Sequence, residues 1–276
     1  MCLKDFFMYG LHNHTTYSHD GYNSVFEMCE SAIKKGMKGV AFTDHIDLIL
    51  FEERKVYENC LGLIKDVNIA KERYKGKLDV FLGMEIGEEI YFTELAQKMR
   101  ALASYDVILS SIHFLTFLGH EYEICYVDIP LWSAQKIERV LNTYLEDILK
   151  TCQTTDFDVL SHLTLPLRYI NATYNKGYDE KKLFDRLEKI FKILIEKNRA
   201  LELNTSNAAT TNFFMPSKQI LSLYKEMGGE LVTIGTDAHT VDKIDSGFLL
   251  GKQLLKDCGF KNYFYFKQRK PFDVKL

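Results

Sequence analysis

Seven short apolar runs, at residues 6–13, 39–42, 78–84, 107–112, 157–161, 200–203 and 231–234, alternate with segments of helical periodicity along the chain. Six of the seven end in a polar residue that can bind a metal or offer an amide, and this restricts the fold more than any other feature. Strand-then-helix alternation argues for a parallel sheet. Neighbouring strands of an open sheet lie about 5 Å apart, so seven would spread their ends along a line of roughly 30 Å. Residues from the first, third and last strands could not then share one ion. Closing the sheet into a barrel brings every C-terminal strand end to one mouth, where barrel active sites sit. The expectation is an α/β chain with its functional site at that mouth.

The helical segments are legible from spacing and caps. Ser24-x-x-Glu27 forms a capping box ahead of a helix that Gly36 closes. Further helices are expected at 55–74, 93–103, 131–152, 180–197, 217–227 and 246–258, with a short aromatic strand at 263–266. Residues 114–130 read as a long loop holding His120, Glu121, Glu123 and Asp128, and with the segment 164–178 they are expected to shape the pocket.

A length of 276 residues with 46% hydrophobic content suits one barrel domain over residues 1–276. A net charge of −3 without runs of like charge leaves no electrostatic footprint for nucleic acid. No apolar run approaches the roughly 20 residues needed to span a bilayer. Cys2, Cys29, Cys60, Cys125, Cys152 and Cys258 form no Cys-x-x-Cys pair and read as small hydrophobes of a reducing cytoplasm. A monomer or a homodimer is expected.

The site begins with His12-Asn13-His14, because side chains one residue apart on an extended strand point to the same face. A lone histidine closing a strand more often meets a loop carbonyl than a metal; recurrence at successive strand ends points to a shared site. The candidate ligands are His12, His14, Asp20 or His19, His45, Glu85, His113, His162, Asp237 and His239. Seven of the eight histidines fall near the expected mouth, and the eighth, His120, reads as solvated or substrate-facing. Imidazole and carboxylate without thiolate suit Zn, Mn, Fe or Co. So many ligands exceed what one ion takes, so two or three are implied, with a carboxylate such as Glu85 bridging. Ions about 3.5 to 4 Å apart can activate water and stabilise both oxygens of a phosphoryl displacement. Arg168, six residues after His162, offers a planar fork for phosphate. Ser18, Ser110 and Ser111 lack the Gly-x-Ser-x-Gly setting of an activated serine.

Taken together, His12-Asn13-His14, Ser18-His19-Asp20-Gly21, Thr43-Asp44-His45, Gly83-Met84-Glu85, Ser111-Ile112-His113-Phe114-Leu115, Ser161-His162, Glu202-Leu203-Asn204-Thr205-Ser206 and Gly235-Thr236-Asp237-Ala238-His239 resemble the polymerase and histidinol phosphatase family, in its histidinol-phosphatase branch. The resemblance implies a distorted (β/α)7 TIM-like barrel with a trinuclear site at the C-terminal ends of the strands. It would place His12, His14, Glu85 and Asp237 on a first ion, and Glu85, His113 and His162 on a second. The third would take His45, His239 and a loop residue, where the count from His14 favours Asp20 over His19. Arg168 matches an arginine expected to hold phosphate, beside His113 and His162. The implied activity is hydrolysis of a phosphate monoester, L-histidinol phosphate to L-histidinol and phosphate, without a phosphorylated side chain. Asp20, His19 and His239 are the candidates to protonate the leaving alkoxide.

Three rivals are weighed on the residues. A metal-dependent amidohydrolase also opens with His-x-His, but Glu85 stands where a bridging lysine would end the third strand. A phosphodiesterase or exonuclease is disfavoured by the absence of a basic surface. A non-catalytic metal-binding protein is disfavoured by ligands at so many strand ends.

Overall fold

The computed structural model describes residues 7–117, 120–126 and 128–276. A two-residue strand β1 (Tyr9–Gly10) leads to helix α1 (Val25–Lys34). Both halves of the expected capping box form: Ser24 Oγ accepts the Glu27 amide at 3.3 Å, and Glu27 Oε2 accepts the Ser24 amide at 2.8 Å. Then follow β2 (Gly39–Phe42), β3 (His45–Asp47), α2 (Val56–Arg73), β4 (Asp79–Gly87), α3 (Thr93–Arg100) and β5 (Val107–Ser111). A hairpin of β6 (Phe114–Phe117) and β7 (His120–Glu123) precedes α4 (Ala134–Thr154) and β8 (Val159–Leu160). A short α5 (Leu165–Leu167) runs into a π-helical turn, Arg168–Thr173. The chain goes on through α6 (Phe184–Glu196), β9 (Ala200–Asn204), α7 (Ala208–Thr211), α8 (Lys218–Glu226), β10 (Val232–Gly235), α9 (Phe248–Asp257) and a hairpin of β11 (Asn262–Lys267) and β12 (Lys270–Lys275).

The strands pair in the order β1-β2-β4-β5-β8-β9-β10, all parallel, with β3 adding to the second half of β4. The ring closes at the mouth, where the His14 amide donates to the Ala238 carbonyl at 2.9 Å and the Asp237 amide donates to the His12 carbonyl at 3.0 Å. Below this seam a side chain takes over from the backbone ladder. The Tyr263 hydroxyl accepts the Tyr9 amide at 3.1 Å and donates to the Phe7 carbonyl at 2.8 Å. The fold is thus a distorted (β/α)7 barrel, in keeping with the expected α/β TIM-like class.

Period-two alternation sets what the barrel holds. On β4, Phe81, Gly83 and Glu85 share one face; on β9, Ala200, Glu202 and Asn204 do. The lower positions belong to an apolar plug of Leu11, Ala41, Phe81, Val107, Leu109, Val159, Ala200 and Phe266. The upper positions carry carboxylates. A larger apolar cluster, including Met28, Leu63, Leu145, Phe191 and Phe248, fills the space between sheet and helices. Among the described residues, no helix is long and apolar enough to cross a membrane.

Four expectations are corrected. The run 6–13 shortens to Tyr9–Gly10, because past Gly10 the ladder breaks into isolated contacts: the Asn13 carbonyl accepts the Thr43 amide at 2.9 Å on one side, and Asn13 makes a single bridge with Ala238 on the other; residue 6 lies outside the described residues. Glu85 sits within β4 and not at its end, since β3 supplies a partner up to Gly87 through the pairs His45–Glu85, Ile46–Ile86 and Asp47–Gly87. The loop at 114–130 contains the β6–β7 hairpin. Its start is pinned by Glu88, whose Oε1 accepts the His113 and Phe114 amides at 2.6 and 3.1 Å. The His120 side chain lies outside the described residues. Finally, the aromatic strand at 263–266 is half of a hairpin, with β12 antiparallel to it.

Candidate metal centre

Glu85 stands at the centre of the mouth, with no exposed surface. Its Oε1 lies 2.7 Å from His162 Nε2 and 3.3 Å from His113 Nε2. Its Oε2 lies 2.9 Å from His45 Nδ1, 3.3 Å from His12 Nε2 and 3.7 Å from His14 Nε2. Five imidazoles therefore surround one carboxylate. Asp237 Oδ1 lies 3.1 Å from His14 Nε2 and 3.6 Å from His12 Nε2, opposite Glu85. On the outer side Asp20 Oδ2 is 3.2 Å from His239 Nε2, and Asp20 Oδ1 is 3.6 Å from His45 Nε2.

The candidates thus gather at one mouth, with two particulars. His45 faces both ways, its Nδ1 toward Glu85 and its Nε2 toward Asp20. In the loop, Asp20 touches both His45 and His239, while His19 Nε2 turns toward Glu123 at 4.0 Å. Arg168 opens the π-helical turn and lines the same pocket, its guanidinium 5.4 Å from the centroid of the Tyr169 ring.

Fit to cations rests on two observations. His12 Nε2, His14 Nε2, Asp20 Oδ1, His45 Nδ1, Glu85 Oε2 and His239 Nε2 are buried without a hydrogen-bond partner. Leaving such atoms unpaired is costly, and a cation satisfies several at once. Ligand atoms about 2.0–2.1 Å from a tetrahedral ion lie about 3.4 Å from each other. The 3.1 to 3.7 Å separations around Asp237 and the Glu85–His12–His14 group are of that size. The residues therefore fit divalent ions.

Outside the cluster, other groups hold the imidazoles in orientation. His12 Nδ1 meets Glu202 Oε1 at 2.7 Å, His14 Nδ1 meets Ser18 Oγ at 3.0 Å, and His113 Nδ1 meets Asp47 Oδ1 at 2.9 Å. His239 Nδ1 meets the Asp237 carbonyl at 2.9 Å. With Nδ1 engaged in this way, each Nε2 lone pair is directed at the cluster.

The charges follow from these contacts. Burial pushes the Glu85 and Asp237 carboxyls upward, but the surrounding imidazoles outweigh it and hold both well below the usual range. Burial lowers His12, yet Glu202 and Glu85 reverse the sign and raise it well above its ordinary value. His14 has the Ser18 hydroxyl and no carboxylate on its far nitrogen. Burial, with His239 and His45 beside it, lowers it to about 3, so it stays neutral and free to ligate.

Residue reasoning passed over Glu202 and Asp47 as groups that position ligands. Glu202 also accepts the His162 amide at 2.7 Å, so one carboxylate holds ligands from two elements. The signal was a glutamate inside an apolar strand, which is costly unless paired. Its pocket is tight: a Cβ on Gly235 would stand 1.9 Å from Glu202 Oε1. Glu202→Gln is expected to weaken ion affinity about 10- to 100-fold while the barrel still folds. Titration of the ion-free protein with Zn or Mn, followed by circular dichroism of the same sample, checks it. Unchanged affinity would remove the assigned role.

The PHP domain model matches residues 10–206. The chain is 26% identical over 265 residues to a probable histidinol-phosphatase of Clostridium acetobutylicum, covering 95% of this chain and 98% of that one. It is 29% identical over 274 residues to a probable histidinol-phosphatase of Thermotoga maritima, covering 98% and 100%. Its fold is similar to the crystal structure of a histidinol phosphate phosphatase from Lactococcus lactis complexed with zinc, L-histidinol and phosphate. That match has a TM-score of 0.76 at 21% identity and covers 96% of this chain and 98% of that one.

Proposed function

The chain belongs to the PHP domain family, and on that premise we propose that it is a metal-dependent phosphatase that hydrolyses L-histidinol phosphate to L-histidinol and phosphate. The observation that carries the reading is the convergence of five imidazoles on the two oxygens of buried Glu85, with Arg168 on the wall of the same pocket. End-to-end similarity to probable histidinol-phosphatases supports the choice of substrate. One catalytic barrel over residues 1–276 and a cytoplasmic setting, suited to the free thiols Cys29, Cys60, Cys125, Cys152 and Cys258, belong to the same reading.

His12, His14, Glu85 and Asp237 would hold one ion, Glu85, His113 and His162 a second, and Asp20, His45 and His239 a third. Bound there, divalent cations would supply an activated water and electrostatic stabilisation for in-line phosphoryl displacement. The Arg168 fork binds two phosphate oxygens and follows the charge that grows on them. The proton for the leaving alkoxide comes from a group outside the ligand set, and His19, which lines the pocket with its Nδ1 3.7 Å from Asp20, is so placed.

The test is phosphate release from L-histidinol phosphate against a panel of other monoesters, with Mn, Zn, Fe or Co supplied. A kcat/KM for L-histidinol phosphate at least about tenfold above every other member is expected, about 1.4 kcal/mol of discrimination. Equal rates across the panel would overturn the substrate assignment.

A further inference from the structure

The metal cluster and Arg168 account for the floor of the pocket and for the phosphate. They leave unexplained a carboxylate on its rim. Glu123, at the end of β7, lines the pocket with its side chain 16% exposed, beside Ile124 and Cys125. A phosphatase pocket that must admit a phosphate dianion gains nothing from a negative wall unless something positive enters with the phosphate.

The carboxylate is built into place. Arg54 Nη2 donates to both Glu123 oxygens, at 3.0 and 2.9 Å. Arg54 Nη1 donates to Asp47 Oδ2, and Asp47 Oδ1 meets His113 Nδ1 at 2.9 Å. A continuous line of contacts thus runs from the cluster ligand His113 through Asp47 and Arg54 to Glu123. Both arms of the Arg54 fork are spent on carboxylates, so Arg54 is not placed to bind phosphate. One guanidinium between two carboxylates leaves a net negative charge on this rim. Each Glu123 oxygen accepts one hydrogen bond from Arg54 and keeps lone-pair capacity for another donor. Arg168, by contrast, forms no ion pair with a carboxylate among the described residues and lines the same pocket. The pocket wall therefore has one arginine available to an anion and one carboxylate available to a cation, with Ile124, Leu165 and Tyr169 as apolar surface.

We propose that Glu123, held by Arg54, is a subsite for a protonated amine or imidazolium on the leaving group, so that the enzyme selects phosphate monoesters of amino alcohols. The proposal deepens the reading of this site as a histidinol phosphate hydrolase and rests on it for the phosphate position. Charge-assisted contacts of this kind are strong where solvent is partly excluded, and removing one partner is expected to cost selectivity more than turnover of uncharged substrates.

The experiment compares wild type with Glu123→Gln on L-histidinol phosphate, ethanolamine phosphate and glycerol phosphate, with ions supplied, and measures L-histidinol binding by calorimetry. In Glu123→Gln, kcat/KM for both amine-bearing esters is expected to fall about 10- to 100-fold, with glycerol phosphate changed less than about threefold. L-Histidinol binding is expected to weaken in parallel, while inhibition by inorganic phosphate keeps its strength. Glu123→Asp should recover part of the preference. An equal fall on all three esters would mean that Glu123 only supports Asp47 and His113, and would overturn the proposal. So would an unchanged preference for amine-bearing esters. Failure of the functional reading looks different. Wild type would then show no advantage for L-histidinol phosphate over ethanolamine phosphate, while the Glu123 effect on both amines persisted.

Discussion

Glu85→Gln is expected to lower kcat/KM by roughly a thousandfold or more, about 4 kcal/mol of transition-state stabilisation. The replacement keeps the shape of the side chain and removes its charge. That charge faces His12, His14, His45, His113 and His162 at 2.7 to 3.7 Å, so it is common to nearly every ligand of the cluster. An amide cannot bridge cations, and its NH2 would point a donor at sites that need an acceptor. Ion content measured on the purified variant should fall with activity. Exhaustive chelation of the wild type should reproduce the same inactivity, and added Mn or Zn should restore the wild type but not the variant. Thermal melting separates loss of function from loss of fold: the ion-free wild type and the variant should melt close together, and only the wild type should gain Tm when ions are added. A variant that retains its ions and most of its turnover would refute the central role given to this carboxylate.

The second large effect is expected at Arg168. Arg168→Ala should reduce kcat/KM about 100-fold, close to 3 kcal/mol, with ion content unchanged. Arg168 opens the π-helical turn after α5 and is none of the residues that contact Glu85, Asp237 or Asp20. Its removal therefore leaves the ligand cluster intact. Arg168→Lys should recover only part of the loss, because an ammonium keeps the charge and loses the two-pronged geometry. The loss should extend to every phosphate ester tried, in contrast to the selective effect expected at Glu123. Loss of ions from Arg168→Ala would show that the arginine supports the cluster and does not serve the phosphate.

How much of this was readable from residues alone depended on the range of the physics involved. Helix α1 was legible because its signal is local: Ser24 and Glu27 cap each other three residues apart. The barrel was legible because strand periodicity and strand-end chemistry repeat in each unit. The ligands were legible for the same reason, as histidines and carboxylates recurring after apolar runs. Glu202 was harder, because its partner His12 is 190 positions away and nothing local announces the contact. Glu85 was read as a strand end, since β3, the short strand that extends its ladder, begins at His45, itself counted as a ligand. The β6–β7 hairpin was read as a loop because its start is held by Glu88, a residue 25 positions earlier, and not by a pattern within 114–123. The Arg54–Glu123 contact spans 69 positions and was invisible for that reason.

The seam between the first and last barrel strands has a consequence for how the protein comes to exist. Two backbone hydrogen bonds there join His12 to Asp237 and His14 to Ala238, and the same four residues carry or adjoin ligands of the cluster. A nascent chain on the ribosome exposes His12 and His14 early, but their opposing carboxylate, Asp237, is translated more than 200 codons later. The set of His12, His14, Glu85 and Asp237 is therefore incomplete until the last barrel strand has been made. That position can be filled only after the ring has closed.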